Sequence, residues 1–257
     1  MHRLLLFFAV VISFFSNAQS WLYAPMASGE KITHQFFSLS YLDTFEQAEW
    51  VAYRLTSEML TGDALRRNRF RIDTAVSTGS AANADYRKSG YDRGHLCPAA
   101  DMQFSQDAKD ATFLMSNMSP QLPEFNRGVW KRSEELVRRW AIARKEIFVI
   151  TGPVFDTVDE WIGKNRVAVP VAFYKVLLYL DEKDTLMIGM LLSHRGSDAL
   201  LQQFCVPVDS IELRTGIDFY SFLPAGTEER LEKEVNLMPW FGEAVRNEYD
   251  DRMLPQE

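Results

Sequence analysis

The sequence predicts an α+β fold, a central antiparallel sheet flanked by helices, formed by one domain from about residue 22 to about residue 250. Short aromatic-rich runs joined by polar turns read as neighbouring strands. A charged four-residue turn between two long apolar runs reads as a hairpin. One segment carries apolar residues at spacings of three and four, the mark of a helix with one buried face. The composition agrees: 257 residues, 47% hydrophobic and 25% charged, describe an ordinary globular chain, not a collagen-like, disordered or disulfide-stapled one. No repeat, low-complexity segment or linker interrupts it.

In chain order, residues 36–42 and 49–55 are the first two strands. Residues 61–101 show little periodicity and many Gly, Asn, Asp and Ser, and irregular segments of that length in a compact domain are usually functional. Helix is expected at residues 106–115 and again at 126–144, where Val129, Trp130, Leu136, Val137, Trp140 and Ala141 fall on one side. Residues 146–151 read as a buried strand ended by Gly152-Pro153. Residues 169–180 and 185–193 are strands joined by the turn Asp181-Glu182-Lys183-Asp184. Two or three helices, around residues 197–203, 227–235 and 239–248, complete the domain.

The first eighteen residues differ from the rest. His2 and Arg3 precede an apolar run from Leu4 to Phe15, and small residues stand at Ser16 and Ala18. The run is too short to span a bilayer core of about 30 Å as a helix and has the length of a secretory signal. Residues 1–18 are therefore read as a signal peptide, which implies a secreted or periplasmic protein with no stable membrane association after cleavage. The other reading of the same residues is an uncleaved anchor. Cleavage would leave 27 Lys and Arg against 35 Asp and Glu, a charge of −8.

That charge is uneven. Residues 51–150 hold 16 Lys and Arg against 12 Asp and Glu, whereas the rest of the mature chain holds 11 against 23. Two readings are open: mixed solvated surface, or a basic face of the kind that grips polyphosphate. With four His and two Cys, all well separated, the chain has no Cys₄, Cys₂His₂ or three-histidine zinc site. Any metal must be held mainly by oxygen.

The densest group of reactive side chains lies between Tyr91 and Met102. Here His95 follows Arg93 and Gly94: glycine permits close backbone approach, arginine forks onto phosphate, and histidine exchanges protons near neutrality. A hydrogen-bonded structural histidine is the alternative. Downstream, Ser116-Asn117-Met118-Ser119-Pro120-Gln121, Asn126 and Glu134 bring oxygen donors suited to Mg²⁺. Asn126 equally suits a helix N-cap.

Asn83-Ala84-Asp85-Tyr86, Ser89-Gly90-Tyr91-Asp92-Arg93-Gly94-His95-Leu96, Ser116-Asn117, Pro120-Gln121, Asn126, Trp130 and Glu134 together resemble the DNA/RNA non-specific endonuclease family. The likeness runs from about residue 50 to residue 153, and more loosely to about residue 222. It implies a ββα-metal catalytic motif and a Mg²⁺-dependent endonuclease that hydrolyses DNA and RNA to 5′-phosphate products, with Mn²⁺ able to substitute.

By that likeness His95 is the general base and Asn126 the one direct protein ligand of a single ion. Arg93 stabilises phosphate charge, Asn117 holds a neighbouring group or water, and Glu134 orients the ion's water. Gln121 and Arg69 are substrate contacts, although Arg66, Arg67, Arg69 and Arg71 leave the register open by a residue or two. DNA and RNA are the expected partners, and a homodimer is compatible with what similar proteins form. Two rivals remain: a non-catalytic nucleic-acid-binding protein on the same fold, and a phosphodiesterase of small nucleotides. The Asn117 glycosylation pattern is read as coincidental. Cys97 is read as a packing residue, with a Cys97 to Cys205 bridge as the alternative. His34 and His194 are read as structural.

Overall fold

The computed structural model describes residues 23–181 and 184–242. The signal-peptide reading and most of the helix expected at residues 239–248 lie outside the described residues. Chain order runs β1 (Glu30–Thr33), β2 (Ser38–Leu42), β3 (Gln47–Thr56), β4 (Asp92–His95), α1 (Gln106–Ala111), β5 (Met118–Gln121), α2 (Lys131–Arg144) and β6 (Glu146–Val154). It continues through β7 (Trp161–Ile162), β8 (Val167–Ala168), β9 (Ala172–Leu180), β10 (Thr185–Ser193), β11 (Cys205–Val206), α3 (Val208–Thr215) and α4 (Ala225–Lys233).

Seven strands form one sheet in the order β1-β2-β3-β6-β9-β10-β11, with every neighbouring pair antiparallel. Side chains alternate across it. Val51, Tyr53 and Leu55 enter one core with Trp130, Leu136, Val137 and Trp140, while Trp50 and Ala52 enter a second core with Val208, Ile211 and Leu231. Thus α2 covers one face and α3 with α4 the other. Burial on both faces is why β3, β6 and β9 read as near-continuous apolar runs instead of alternating ones. The edge strands β1 and β11 are short, which limits the unpaired backbone offered to another chain.

On the first face β4 and β5 make a separate two-stranded antiparallel ribbon, Arg93 opposite Pro120 and His95 opposite Met118, and α2 follows it. The α+β class and the antiparallel sheet are as expected from the sequence, and the ribbon with its helix is the ββα unit. Local differences have local causes. The helix expected from residue 106 to 115 stops at Ala111, and the chain turns through Thr112 and Phe113 so that Met115 can bond Arg71. The helix expected from residue 126 begins as a wide turn, Phe125–Trp130, in which Gly128 leaves helical geometry (φ −100°, ψ −111°) before α2 starts at Lys131. Residues 197–203 are not a helix, and only the short 3₁₀ turn Leu201–Phe204 forms there. The chain instead forms α3, which sequence periodicity did not reveal. Cys97 and Cys205 are both free. Among the described residues no helix is long and apolar enough to cross a membrane.

Candidate active site

Arg93 and His95 are two residues apart on β4, so their side chains share a face of the ribbon. The intervening Gly94 is required: a Cβ there would meet the Gln121 side chain at 2.2 Å. Backbone contacts hold the ribbon in place. Trp130 Nε1 donates to the His95 carbonyl (3.2 Å), and the Leu96 N–H donates to the Asn117 carbonyl (3.0 Å).

His95, Arg93, Asn126 and Glu134 line one pocket of about 360 Å³, together with Arg66, Arg127, Lys131 and Arg138. His95 is 8% exposed, with its ring against the edge of Phe113 (5.0 Å) and near Phe70 (6.1 Å). The two phenylalanines also carry the pocket's arginines: Arg66 lies over Phe113 at 5.2 Å and Arg93 over Phe70 at 4.5 Å. Burial, reinforced by the charges of Arg66 and Arg93, pushes the imidazole down to about 3. It is therefore neutral at physiological pH. Its Nε2 and the Arg93 Nε are buried with no hydrogen-bond partner among the described residues.

Asn126 has a fixed orientation. Its Nδ2 donates to Asp92 Oδ2 (2.9 Å), and Asp92 is itself clamped by Arg127 through Nε (2.9 Å) and Nη2 (2.7 Å). With the amide nitrogen engaged, the side-chain oxygen is left with its lone pairs free to accept a hydrogen bond or to ligate a cation. Below it lies a buried ionic layer. Asp101 accepts from Tyr53 Oη (2.8 Å) and from Arg138 Nη1 (2.9 Å), and Lys175 Nζ stands 3.7 Å from the Trp130 ring centre. Burial raises the Glu134 carboxyl well above the usual carboxylate range, against the pull of the Lys175 charge, and burial lowers Lys175 in turn.

Three of the residues singled out in the sequence stand elsewhere. Asn117 is fully buried and points into the protein: its Oδ1 accepts the Cys97 N–H (2.8 Å), and its Nδ2 donates to the carbonyls of Cys97 (2.9 Å) and Thr112 (2.8 Å). It fixes the chain just after His95 and does not line the pocket. Gln121 is also fully buried, behind Gly94, with neither amide atom partnered among the described residues. Arg69 is exposed and outside the pocket, and Arg66 takes the position expected of it. The sequence did not single out Arg66 from its neighbours, nor the buried Lys175, which does not itself line the pocket. Arg66 was hidden in a run of four arginines. Lys175, by contrast, had a legible signal: a single cation in the apolar strand Ala-Phe-Tyr-Lys-Val-Leu-Leu-Tyr-Leu.

The donor set fits a hard cation. Asn126 Oδ1 and Glu134 offer oxygen in one pocket, which suits Mg²⁺, an ion that keeps several waters and needs few protein ligands. The clusters of three acidic groups among the described residues lie on and between α3 and α4, away from this pocket. The chemistry on offer is a neutral base, guanidinium groups for a phosphate, and an oxygen site for an ion.

The profile of the DNA/RNA non-specific endonuclease family matches residues 23–226. Human mitochondrial endonuclease G is 37% identical over 202 residues, which is 73% of this chain and 68% of that one. A nuclease of Nostoc sp. is 33% identical over 215 residues, 78% of this chain and 76% of that one. The chain spans 62–68% of the length of the mammalian endonuclease G proteins. Among solved structures, the EndoG/EndoGI complex described as showing the mechanism of EndoG inhibition is similar, with a TM-score of 0.76 and 30% identity over 84% of this chain and 95% of that one.

Proposed function

Because this chain belongs to the DNA/RNA non-specific endonuclease family, a family of phosphodiester hydrolases, we propose that its pocket cleaves DNA and RNA with Mg²⁺, leaving 5′-phosphate ends. The observation that carries the proposal is the convergence on one pocket of a neutral His95 whose Nε2 has no partner among the described residues, the arginines Arg66 and Arg93, and an Asn126 whose oxygen is left free by Asp92.

Arg66 and Arg93 bind the scissile phosphate and stabilise the charge that builds on it. His95 takes a proton from the water that attacks phosphorus in line. The bond from phosphorus to the 3′-oxygen breaks, and that oxygen gains a proton from solvent. General-base help of this kind contributes about 10²–10⁴ in rate. Asn126 would hold the ion, with Glu134 turned toward its water shell, and Mn²⁺ would serve in its place. When bound, the ion neutralises phosphate charge and stabilises the leaving oxygen. Asn117 acts as a positioning residue through the backbone of Cys97, two residues from the base.

The apolar N-terminal stretch supports a secreted or periplasmic enzyme. Turnover of plasmid, of RNA and of a small phosphodiester by the same preparation tests the reading. Cleavage of both polymers is expected. Hydrolysis of the small ester alone would overturn it, as would retention of nucleic acid without cleavage.

A further inference from the structure

A second cleft has a volume of about 670 Å³. One wall is the loop from Ala82 to Ser89, and the other is the β7–β8 hairpin from Glu160 to Asn165. The walls are fastened together. Asp85 accepts the Ala82 N–H (2.8 Å), the Asn165 N–H (3.2 Å) and the Asn165 Nδ2–H (2.9 Å), using both carboxylate oxygens. Gly163 has φ +68°, and a Cβ on it would fall 2.2 Å from the Asp85 side chain, so the hairpin closes this tightly only with glycine there. The cleft is preformed.

Its charges are of two kinds. The acids are committed: Asp85 as just described, and Glu160 to the Tyr91 hydroxyl (2.6 Å). The cations Arg87, Lys88 and Lys164 are exposed, and among the described residues none makes a side-chain hydrogen bond or ion pair. Trp161 in the wall has its ring occupied by Arg166 (5.0 Å) and Phe45 (6.1 Å), so the cleft presents charge more than a stacking surface. Free cations without a base platform suit phosphates and are indifferent to sequence.

The cleft is also coupled to the catalytic pocket. Arg93 Nη1 donates to Asn83 Oδ1 (2.8 Å), and Asn83 lies between Ala82 and Ala84 of the cleft wall. The segment from Ala82 to His95 thus has the second cleft at one end and the proposed base at the other.

We propose that this cleft binds the polynucleotide backbone at phosphates beyond the scissile one, through Arg87, Lys88 and Lys164, and so makes the enzyme favour long strands over short ones. The inference rests on the nuclease reading of the first pocket and adds a subsite to it. The test is binding, measured by fluorescence anisotropy over a salt series with a labelled single-stranded 20-mer and a labelled dinucleotide. The protein is His95→Ala, with and without the triple change Arg87→Ala, Lys88→Ala and Lys164→Ala. Loss of three phosphate contacts should lower the slope of log affinity against log salt by roughly 2. Affinity for the 20-mer should fall about tenfold or more at low salt, with the dinucleotide unaffected and the melting temperature unchanged. An unchanged slope and affinity for the 20-mer would overturn the cleft, as would equal losses on both ligands. The nuclease reading fails separately, if protein with His95 intact cleaves no polynucleotide.

Discussion

Two histidines of this protein sit in similar surroundings and have opposite hydrogen-bonding. His194 packs against Phe125 and Phe173, and both ring nitrogens are used: Nδ1 with the Pro170 carbonyl (2.8 Å) and Nε2 accepting the Leu122 N–H (2.7 Å). His95 packs against Phe113 and Phe70, yet its Nε2 is buried with no hydrogen-bond partner among the described residues. Burial lowers the affinity for protons in both. What separates them is satisfaction. An unpaired buried polar group costs about 1–3 kcal/mol, and a fold keeps one where something other than stability depends on it. His194 ties the chain before the wide turn to the end of β10, whereas His95 lines a pocket with Arg66 and Arg93.

The largest expected effects sharpen that contrast at the metal. Chelation should abolish plasmid cleavage, and added Mg²⁺ or Mn²⁺ should restore it. Asn126→Ala should lower kcat by about 10² or more and raise the Mg²⁺ concentration needed for half-maximal rate. Full activity of Asn126→Ala at low Mg²⁺ would break the assignment of the ligand.

Next in size is the arginine pair. Arg66→Ala should cost about tenfold or more in kcat/KM, in line with about 1.5–3 kcal/mol for a hydrogen bond to a charged group. Arg69→Ala, outside the pocket, should stay close to wild type. The reverse ranking in a kinetic assay would restore the register that the sequence suggested.

The smallest effect is on pH dependence. His95, held down at about 3, is already neutral over the working range and does not set the acid limb. Glu134 is raised by burial, so rate should climb with pH as it ionises. The positive charge of Lys175 lowers the Glu134 carboxyl, so Lys175→Met should move that limb to higher pH. A pH profile of kcat/KM that Lys175→Met leaves in place would show that Glu134 is not the titrating group.

The comparison also explains what was legible in the sequence. The strands β3, β6, β9 and β10 could be read because long apolar runs have few other uses, and the hairpin turn marked the pairing of the last two. The ribbon could not be read from periodicity. Asp-Arg-Gly-His and Met-Ser-Pro-Gln lack alternation, since their side chains serve a pocket and a tight glycine contact. Their chemistry was visible instead, and family likeness brought out His95, Arg93, Asn126 and Glu134, which the fold gathers in one place. Asn117 and Gln121 carried the same likeness but face inward, and sequence spacing holds no information on which way a side chain of a short ribbon points. Residues 197–203 read as a helix and α3 did not, because short amphipathic stretches depend on the sheet they pack against more than on their own propensity.

An Nε2 without a partner among the described residues sets His95 apart from His194. The direct test places His95→Ala and His194→Ala side by side in a supercoiled-plasmid assay with Mg²⁺, with a thermal melt of each. His95→Ala should lose about 10²–10⁴ in rate and lose less melting temperature than His194→Ala, because it gives up ring packing but no Nε2 hydrogen bond among the described residues. His194→Ala should keep most of its rate and melt earlier, by the equivalent of about 1–3 kcal/mol. A His95→Ala protein that cleaves at the wild-type rate would contradict the account.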